Sequence, residues 1–429
     1  MAEQLYFSRD TKMFLEFDGT VWSIPVLDGF SFSQATNSTE VSLNEMESAG
    51  GVSRRGRRAF NDSLAPAEWS FSTYVRPFTA ASGSAAGTAD SAAEVHAVEE
   101  VLWALMAGAK NYASNKYDDA ASSPTDVLIP GASDMTVTFA QSQSSTLGTA
   151  NIYFVLGDAN FTVMKLAGVT VNEATIDFDI EGIATINWSG NATNLTDHTA
   201  NTAVAAAGSK PTSGTGSVVG DVVLVSDDEN RLLVTLSGSG ASHTTQVYEG
   251  ADQTTNFIRN RLTVLTIAPA AIGSNNAQDP DGDGSNELEA SYVLTLTGGS
   301  VTISNNNTYI TPEEIGLVNV PIGHVTGTRN VSGSFTCYLT ENTSGSNADN
   351  SSNDFFTDLR AITNVVTNKF NLVFKIGGAT GTGLEIAMPS CHVEIPTHSI
   401  EDIISLETNF MGLPSSITAA DEINLKYRP

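Results

Sequence analysis

Apolar and polar residues alternate over short stretches through most of this chain, the period of a half-buried β-strand. The alternation is clearest over 169–181, where Ile176, Phe178 and Ile180 fall on one side and Asp177, Asp179 and Glu181 on the other. Residues 183–189 pair with that strand or extend it. Strands are also predicted at 12–18 and 21–27, joined by a turn at Gly19, then at Phe30–Ser33, 69–75, 134–140, 151–157 and 160–166. The pattern lapses from Thr36 to Arg58, which reads as a long polar loop. Helical spacing occurs once in this half: Val95, Val98, Leu102, Leu105 and Met106 form a stripe, with Ser91 and Glu94 as a capping box and Gly108 as the C-terminal cap.

The pattern then restarts. Trp69–Val75 (WSFSTYV) returns as Gly333–Leu339 (GSFTCYL), and Val171–Gly190 pairs without gaps with Val393–Gly412, so that Asn409 meets Asn187 and Phe410 meets Trp188. Asn260–Leu265 answers the first strand, and Tyr292–Leu296, Gly298, Gly299 and Val301–Ile303 answer the hairpin and the strand at Phe30. Residues 353–366, with Phe355, Phe356, Leu359 and Ile362, answer the helix. Between the copies, 190–217 reads as a linker and 218–250 as an extra hairpin of Val222–Val225 and Leu232–Leu236. The expected domains are 1–195, an insertion at 196–250, and 251–429. Duplication of one β-rich unit points to assembly before catalysis.

Composition supports strands and turns: 36 Gly, only 16% charged residues, and many Ser, Thr and Asn. The net charge of −28 opposes binding of DNA or anionic membranes through a broad basic face. Cys337 and Cys391 read as buried free thiols. The N-terminus shows neither a basic nor an apolar leader region, and no apolar run approaches membrane-spanning length. Synthesis in a cytoplasm without membrane association is therefore expected.

Candidate chemistry is sparse. Asp279, Asp281 and Asp283 with Glu287 follow the start of a calcium loop, but Ala290 stands where a terminal Glu belongs. An Asp/Gly-rich hairpin turn is the competing reading. His392, Glu394 and His398 share one face of a straight strand, which would suit zinc, but Pro396 interrupts it. No nucleophile elbow, phosphate loop or dinucleotide fingerprint occurs, so no enzyme activity is expected. The segment Thr36–Arg58 carries Glu40, Glu45 and Glu47, then Arg54, Arg55, Arg57 and Arg58. A solvated loop, a nucleic-acid contact and a loop that meets carboxylates on another subunit are its three readings, and the last is favoured.

Three blocks carry a specific resemblance: FNDSLAPAEWSFSTY (Phe60–Tyr74), DFDIEGIATINWSG (Asp177–Gly190) and NNNTYITPEEIGLVNVPIGHVTGTRNVSGSF (Asn305–Phe335). They resemble tail tube proteins of T-five-like long flexible-tailed phages (siphophages), over most of 5–200 and 250–415. The resemblance implies a mainly β protein of two tandem tail-tube β-sandwich domains, each with a flanking helix. Three such chains would form a pseudo-hexameric ring, and stacked rings a hollow virion tail tube for DNA ejection. The implied partners are other copies of the chain, a tape measure protein in the lumen, and tail terminator and baseplate or tip proteins at the tube ends. Duplex DNA would pass without specific binding. Within that reading Asp177, Asp179, Glu181 and Glu401 are expected to line an acidic lumen, an ordinary solvated outer face being the competing reading. Glu45, Glu47, Arg54, Arg55, Arg57 and Arg58 are expected to form an inter-ring stacking loop. A secreted or surface calcium-dependent β-rich adhesin or carbohydrate-binding protein is the alternative class.

Overall fold

A computed structural model describes residues 5–42, 56–79, 94–113, 116–120, 125–139, 146–157, 161–205, 222–225, 231–234, 244–246, 256–271, 274–280, 282, 284–315, 318–341, 351–362, 369–400, 402–416 and 419–429. The first half contributes β1 (Lys12–Phe17), β2 (Thr20–Ile24), β3 (Ser31–Ser42), β4 (Arg57–Tyr74), β5 (Ala150–Leu156), β6 (Thr162–Asp179) and β7 (Thr185–Ala192). The second contributes β8 (Val264–Pro269), β9 (Tyr292–Leu294), β10 (Leu296–Ser304), β11 (Asn330–Tyr338), β12 (Phe370–Ile376), β13 (Gly383–Val393) and β14 (Ser405–Gly412).

The two halves use one pairing scheme. In the first, antiparallel neighbours run β2, β1, β5, β6, β7, β4, β3. In the second they run β9, β8, β12, β13, β14, β11, β10. Even an irregularity recurs: the β5–β6 register shifts between Ala150 and Ile152, and the β12–β13 register between Phe370 and Leu372. Such a bulge bends a strand and pins its register, so its recurrence marks the halves as copies of one unit. The sheet folds over on itself, placing Phe30, just before β3, and Phe32 of β3 on Phe154 of β5 at ring separations of 5.3 and 4.9 Å.

Following the ladders strand by strand aligns Phe32, Trp69, Gly190 and Val171 with Val301, Gly333, Phe410 and Val393. This corrects the gap-free match of the sequence: Phe410 stands where Gly190 does, not where Trp188 does. The two positions exchange size. Gly190 lies opposite Trp69, and Gly333 lies opposite Phe410. One aromatic ring fills the space in each unit, but from the opposed strand, so a similar core volume is reached from the other side of the pair.

Other expectations need revision. Residues 160–181 are not two strands but one, β6, which ends at Asp179; Ile180 is exposed beyond it. The supposed long loop 36–58 is, where described, a continuation of the sheet. β3 and β4 pair outward as far as Ser42 and Arg57, forming a solvent-exposed hairpin arm. The first strand of the second unit starts at Val264, because Asn260–Leu262 forms a single 3-10 turn. In the insertion, Val222–Val225 pairs with Arg231–Val234 as expected, and Thr202–Ala205 adds a parallel third strand.

The first helix, α1, spans Glu100–Ala107 and not 95–107, since Val95–Ala97 is drawn into a strand pair with Pro77–Thr79. All eight residues of α1 are buried, so it is a core element and not an amphipathic cover. Gly108 caps it with φ of 107°, and the Asn305 side-chain amide of the second unit donates to the Met106 carbonyl at 3.0 Å. The second helix, α2 (Ser352–Ala361), opens with a capping box of Ser351 and Asp354.

Among the described residues, two strand pairings weld the units. β10 pairs with the C-terminal half of β6, from Glu173 opposite Ser304 to Asp179 opposite Gly298. The terminal strand Asn424–Arg428 pairs with β13 on one side and with Met135–Thr138 of the first unit on the other. The apolar core is continuous across both, with Phe178 against Phe374 at 5.4 Å.

Candidate functional site: a carboxylate and hydroxyl face on the shared sheet

The strand order β3, β4, β7, β6, β10, β11, β14 makes a sheet with two chemically opposite faces. Alternate residues such as Trp69, Trp188, Ile176, Val301, Phe335 and Phe410 are buried in the core. The intervening residues form the other face. One cross-strand row reads Tyr74, Thr185, Asp177, Ser300, Ser334, Asn409. The next reads Ser72, Asn187, Thr175, Thr302, Ser332, Met411. Among the described residues of this face outside the β3–β4 arm, counting β4 only from Glu68 onward, none is Lys or Arg, and six are carboxylates: Glu68, Glu173, Asp177, Asp179, Glu394 and Glu407.

Hydrogen bonds run across the strands. The Ser72 hydroxyl donates to Asn187 Oδ1 at 2.6 Å, and Asn187 Nδ2 donates to Asp177 Oδ2 at 2.7 Å. Thr175 and Thr302 hydroxyls meet at 3.0 Å, and Asn409 Nδ2 donates to Glu394 Oε2 at 3.0 Å. Desolvation in the sheet raises the Asp177 pKa, the Asn187 amide works against that rise, and the Asp179 charge adds to it. Asp179 is exposed and its Oδ1 accepts the Gly182 N–H at 2.7 Å.

Of the expected lumen residues, Asp177 and Asp179 therefore share one face. Glu181 is exposed but sits in the turn beyond β6, and Glu401 lies outside the described residues. Glu407 was missed although its signal was available: Leu406, Thr408 and Phe410 alternate inward around it. Glu68 carried the same signal, between buried Ala67 and Trp69, whereas Glu173 and Glu394 gave none, because only the pairing brings them to this face.

At the arm, Arg57 pairs with Glu40 at 3.2 Å, both largely exposed, and Arg58 stands opposite Val41. Arg54, Arg55, Glu45 and Glu47 lie outside the described residues. The base of the arm is tied to the second unit: Leu64 N–H donates to the Asn319 carbonyl at 2.8 Å, and Asn319 N–H to that of Asp62 at 3.1 Å.

In the candidate calcium loop, Asp279 is buried and its two carboxylate oxygens accept the Gly282 and Gly284 N–H groups at 2.8 and 2.9 Å. Asp281 and Asp283 lie outside the described residues, and Glu287 bonds through its backbone to the Gln278 carbonyl. His392 and Glu394 do not converge with His398, which packs edge-on against Phe356 at 4.5 Å. Among the described residues no three His, Cys, Asp or Glu side chains are grouped to hold a metal. Both thiols are buried, and burial pushes each up to about 12.

A duplicated antiparallel unit with a one-sided polar sheet defines a class: a β-structural protein built for repetition. No family model matches the chain. The chain is 28% identical over 427 residues to the tail tube protein pb6 of Escherichia phage T5, a match that spans 97% of this chain and 75% of that protein. That similarity agrees with the resemblance carried by the three sequence blocks.

Proposed function

We propose that this chain is a structural subunit of a phage tail tube, made in the host cytoplasm and carried in the virion, with no catalytic role. The observation that carries the reading is the sheet face that bears carboxylates and hydroxyls and, among its described residues outside the arm, no cation. A lumen wall must let duplex DNA slide. Each Lys or Arg on it would bind phosphate and release counterions, which adds friction. Carboxylates repel phosphate within about 8 Å at physiological salt, enough to keep the duplex off the wall. We assign Asp177, Asp179, Glu173 and Glu407 to that wall, with Glu181 in the turn beyond it.

The chain divides into tube domains at 1–195 and 251–429 and an insertion at 196–250. Three chains supply six similar units and close a ring. Rings stack through the arm, whose Arg57 and Arg58 meet carboxylates of the next ring. Exposed apolar residues support stacking along the strand direction. The arm end of the sheet exposes Val41, Phe60, Ile315, Val318, Val320 and Ile322, and the opposite end exposes Ile180, Leu262, Tyr338, Ile400, Ile403 and Ile404. Unlike patches on opposite ends join head to tail and build an open filament. The lumen would hold a tape measure protein before DNA, with terminator and tip proteins at the ends.

Negative-stain microscopy of the purified chain tests this reading. Hollow tubes or rings are expected; isolated globules under all assembly conditions would remove it.

A further inference from the structure

Between β10 and β11 a hairpin of the second unit lies against the first. Thr308–Ile310 pairs with Gly323–Val325, and the turn region between them carries the exposed Ile315 and Ile322. Three residues of this hairpin bond to first-unit backbone. The Tyr309 hydroxyl donates to the Gly168 carbonyl at 2.7 Å. Asn319 exchanges backbone bonds with Leu64 and Asp62. His324 Nε2 accepts the Leu147 N–H at 3.0 Å. Of the three side chains, only that of His324 changes charge between about pH 5 and 8.

A backbone N–H is always the donor, so Nε2 here is the unprotonated ring nitrogen. An imidazolium has no acceptor, and a proton on Nε2 would set one donor against another. The contact is largely closed to water: His324 and Leu147 are each 7% exposed. It is also closed to retreat. A Cβ on Gly148 would collide with the Ala109 carbonyl oxygen, so the chain after Leu147 already lies flat on the end of α1. The surroundings offer no anion to an imidazolium. From its own hairpin the ring faces Tyr309 at 5.7 Å, whose hydroxyl burial pushes up to about 12. Residues 146–150 carry no titratable side chain. Beyond α1, the Lys110 ammonium adds to burial in holding the ring neutral, below the ordinary histidine range.

We propose that His324 is an acid-sensitive seat between the two units: the neutral ring holds the second unit's hairpin on Leu147, and the protonated ring lets the hairpin lift. Leu147 has no room to yield, so the hairpin is the part that moves. In the open state the ring titrates near about pH 6.5, and seated it titrates lower. The contact is therefore complete above about pH 6.5 and weakens as pH falls toward the seated value. The hairpin's exposed Ile315 and Ile322 belong to the end of the sheet that the stacking reading gives to ring contacts. On that reading, acid loosens the tube.

Hydrogen exchange of the purified monomer tests the seat, read at the Leu147 amide and corrected for the intrinsic pH dependence of exchange. Protection should hold steady down to about pH 6.5 and then fall about tenfold per pH unit, because opening takes up one proton. His324→Gln offers a carbonyl oxygen in place of Nε2 and takes up no proton, so its protection should not vary with pH. Lys110→Gln keeps the histidine and removes the opposing charge, so its loss of protection should be smaller than the parent's. Flat protection in the parent, or an equal fall in His324→Gln, would overturn the proposal. If the glutamine variant does not fold, an undiminished fall in Lys110→Gln overturns it instead. Tube length is read separately. Parent tubes should shorten at pH 5 relative to pH 7.5, and His324→Gln tubes should not. A pH-dependent Leu147 amide with tubes indifferent to pH would sever the seat from stacking and leave the seat standing. Absence of tubes at every pH would remove the tube reading, and the amide would still decide the seat.

Discussion

Gly190 of β7 stands directly opposite Trp69 of β4, and a Cβ placed on Gly190 would lie 2.6 Å from the indole and 2.1 Å from the Thr170 carbonyl oxygen. In the second unit the relation is inverted, with Gly333 of β11 under Phe410 and a Cβ there 2.5 Å from that ring. Glycine at each site makes room for one ring. Gly190→Ala and Gly333→Ala should each cost about 1–3 kcal/mol through overpacking. Urea unfolding of the monomer measures this, and an unchanged midpoint in both would show that the rings are free to move aside.

The two units are also joined by buried polar chemistry. Tyr427 of the terminal strand donates its hydroxyl proton to Glu99 Oε1 at 2.8 Å and accepts one from Trp103 Nε1 at 2.6 Å. Desolvation raises Glu99 from 4.5 to about 7, with the Tyr427 hydrogen bond opposing. Below about pH 4.5 the folded and unfolded chains both hold this proton. Between there and about pH 7 only the folded chain keeps it, so stability falls as pH rises through that window. Glu99→Gln should remove that slope and raise stability at pH 8 relative to the parent by up to about 3 kcal/mol. Melts from pH 4 to 8 report it; parallel curves for the two proteins would rule out Glu99 as the titrating group.

Reversing charge on the polar face should change transport without changing the fold. Glu173→Lys with Glu407→Lys is expected to leave the melting temperature within a few degrees and to let tubes retain duplex DNA. Retention should weaken with salt, each phosphate contact adding about −0.9 to the log–log slope. Tubes of this variant that hold no more DNA than the parent would count against the lumen assignment.

Charge reversal at the arm should separate stacking from folding. Arg57 and Glu40 form an exposed ion pair, of a kind worth about 0–1 kcal/mol, so Arg57→Glu/Arg58→Glu should barely move the monomer's stability. Tube length by microscopy should drop sharply while rings persist. Tubes of normal length would assign stacking to other residues.

Calcium titration followed by calorimetry should release no heat at the 279–287 turn. Asp279 already spends both oxygens on the Gly282 and Gly284 amides and so acts as a turn former. Saturable heat lost in Asp279→Asn would restore the calcium reading.

Much of the fold was legible because alternation is local. A period of two tells which side of a strand is buried, and so Ile176 and Phe178 were read inward and Asp177 and Asp179 outward. The duplication, the strand content and the resemblance to tail tube proteins were likewise carried by residues near one another in the chain. The arm was misread for the converse reason: a strand pair with both faces in solvent has no hydrophobic period, and Thr36–Ser42 shows none.

The sequence alone settled which residues turn toward a core and that one unit occurs twice. Only the tertiary structure decided which strand edges meet, because backbone hydrogen bonds carry no side-chain signature and partners such as Thr175 and Thr302 lie more than a hundred residues apart. It also decided that α1 is wholly enclosed and that Phe410 replaces Gly190 and not Trp188. Each of these depends on what another segment brings to the same place, and alternation is silent on partners.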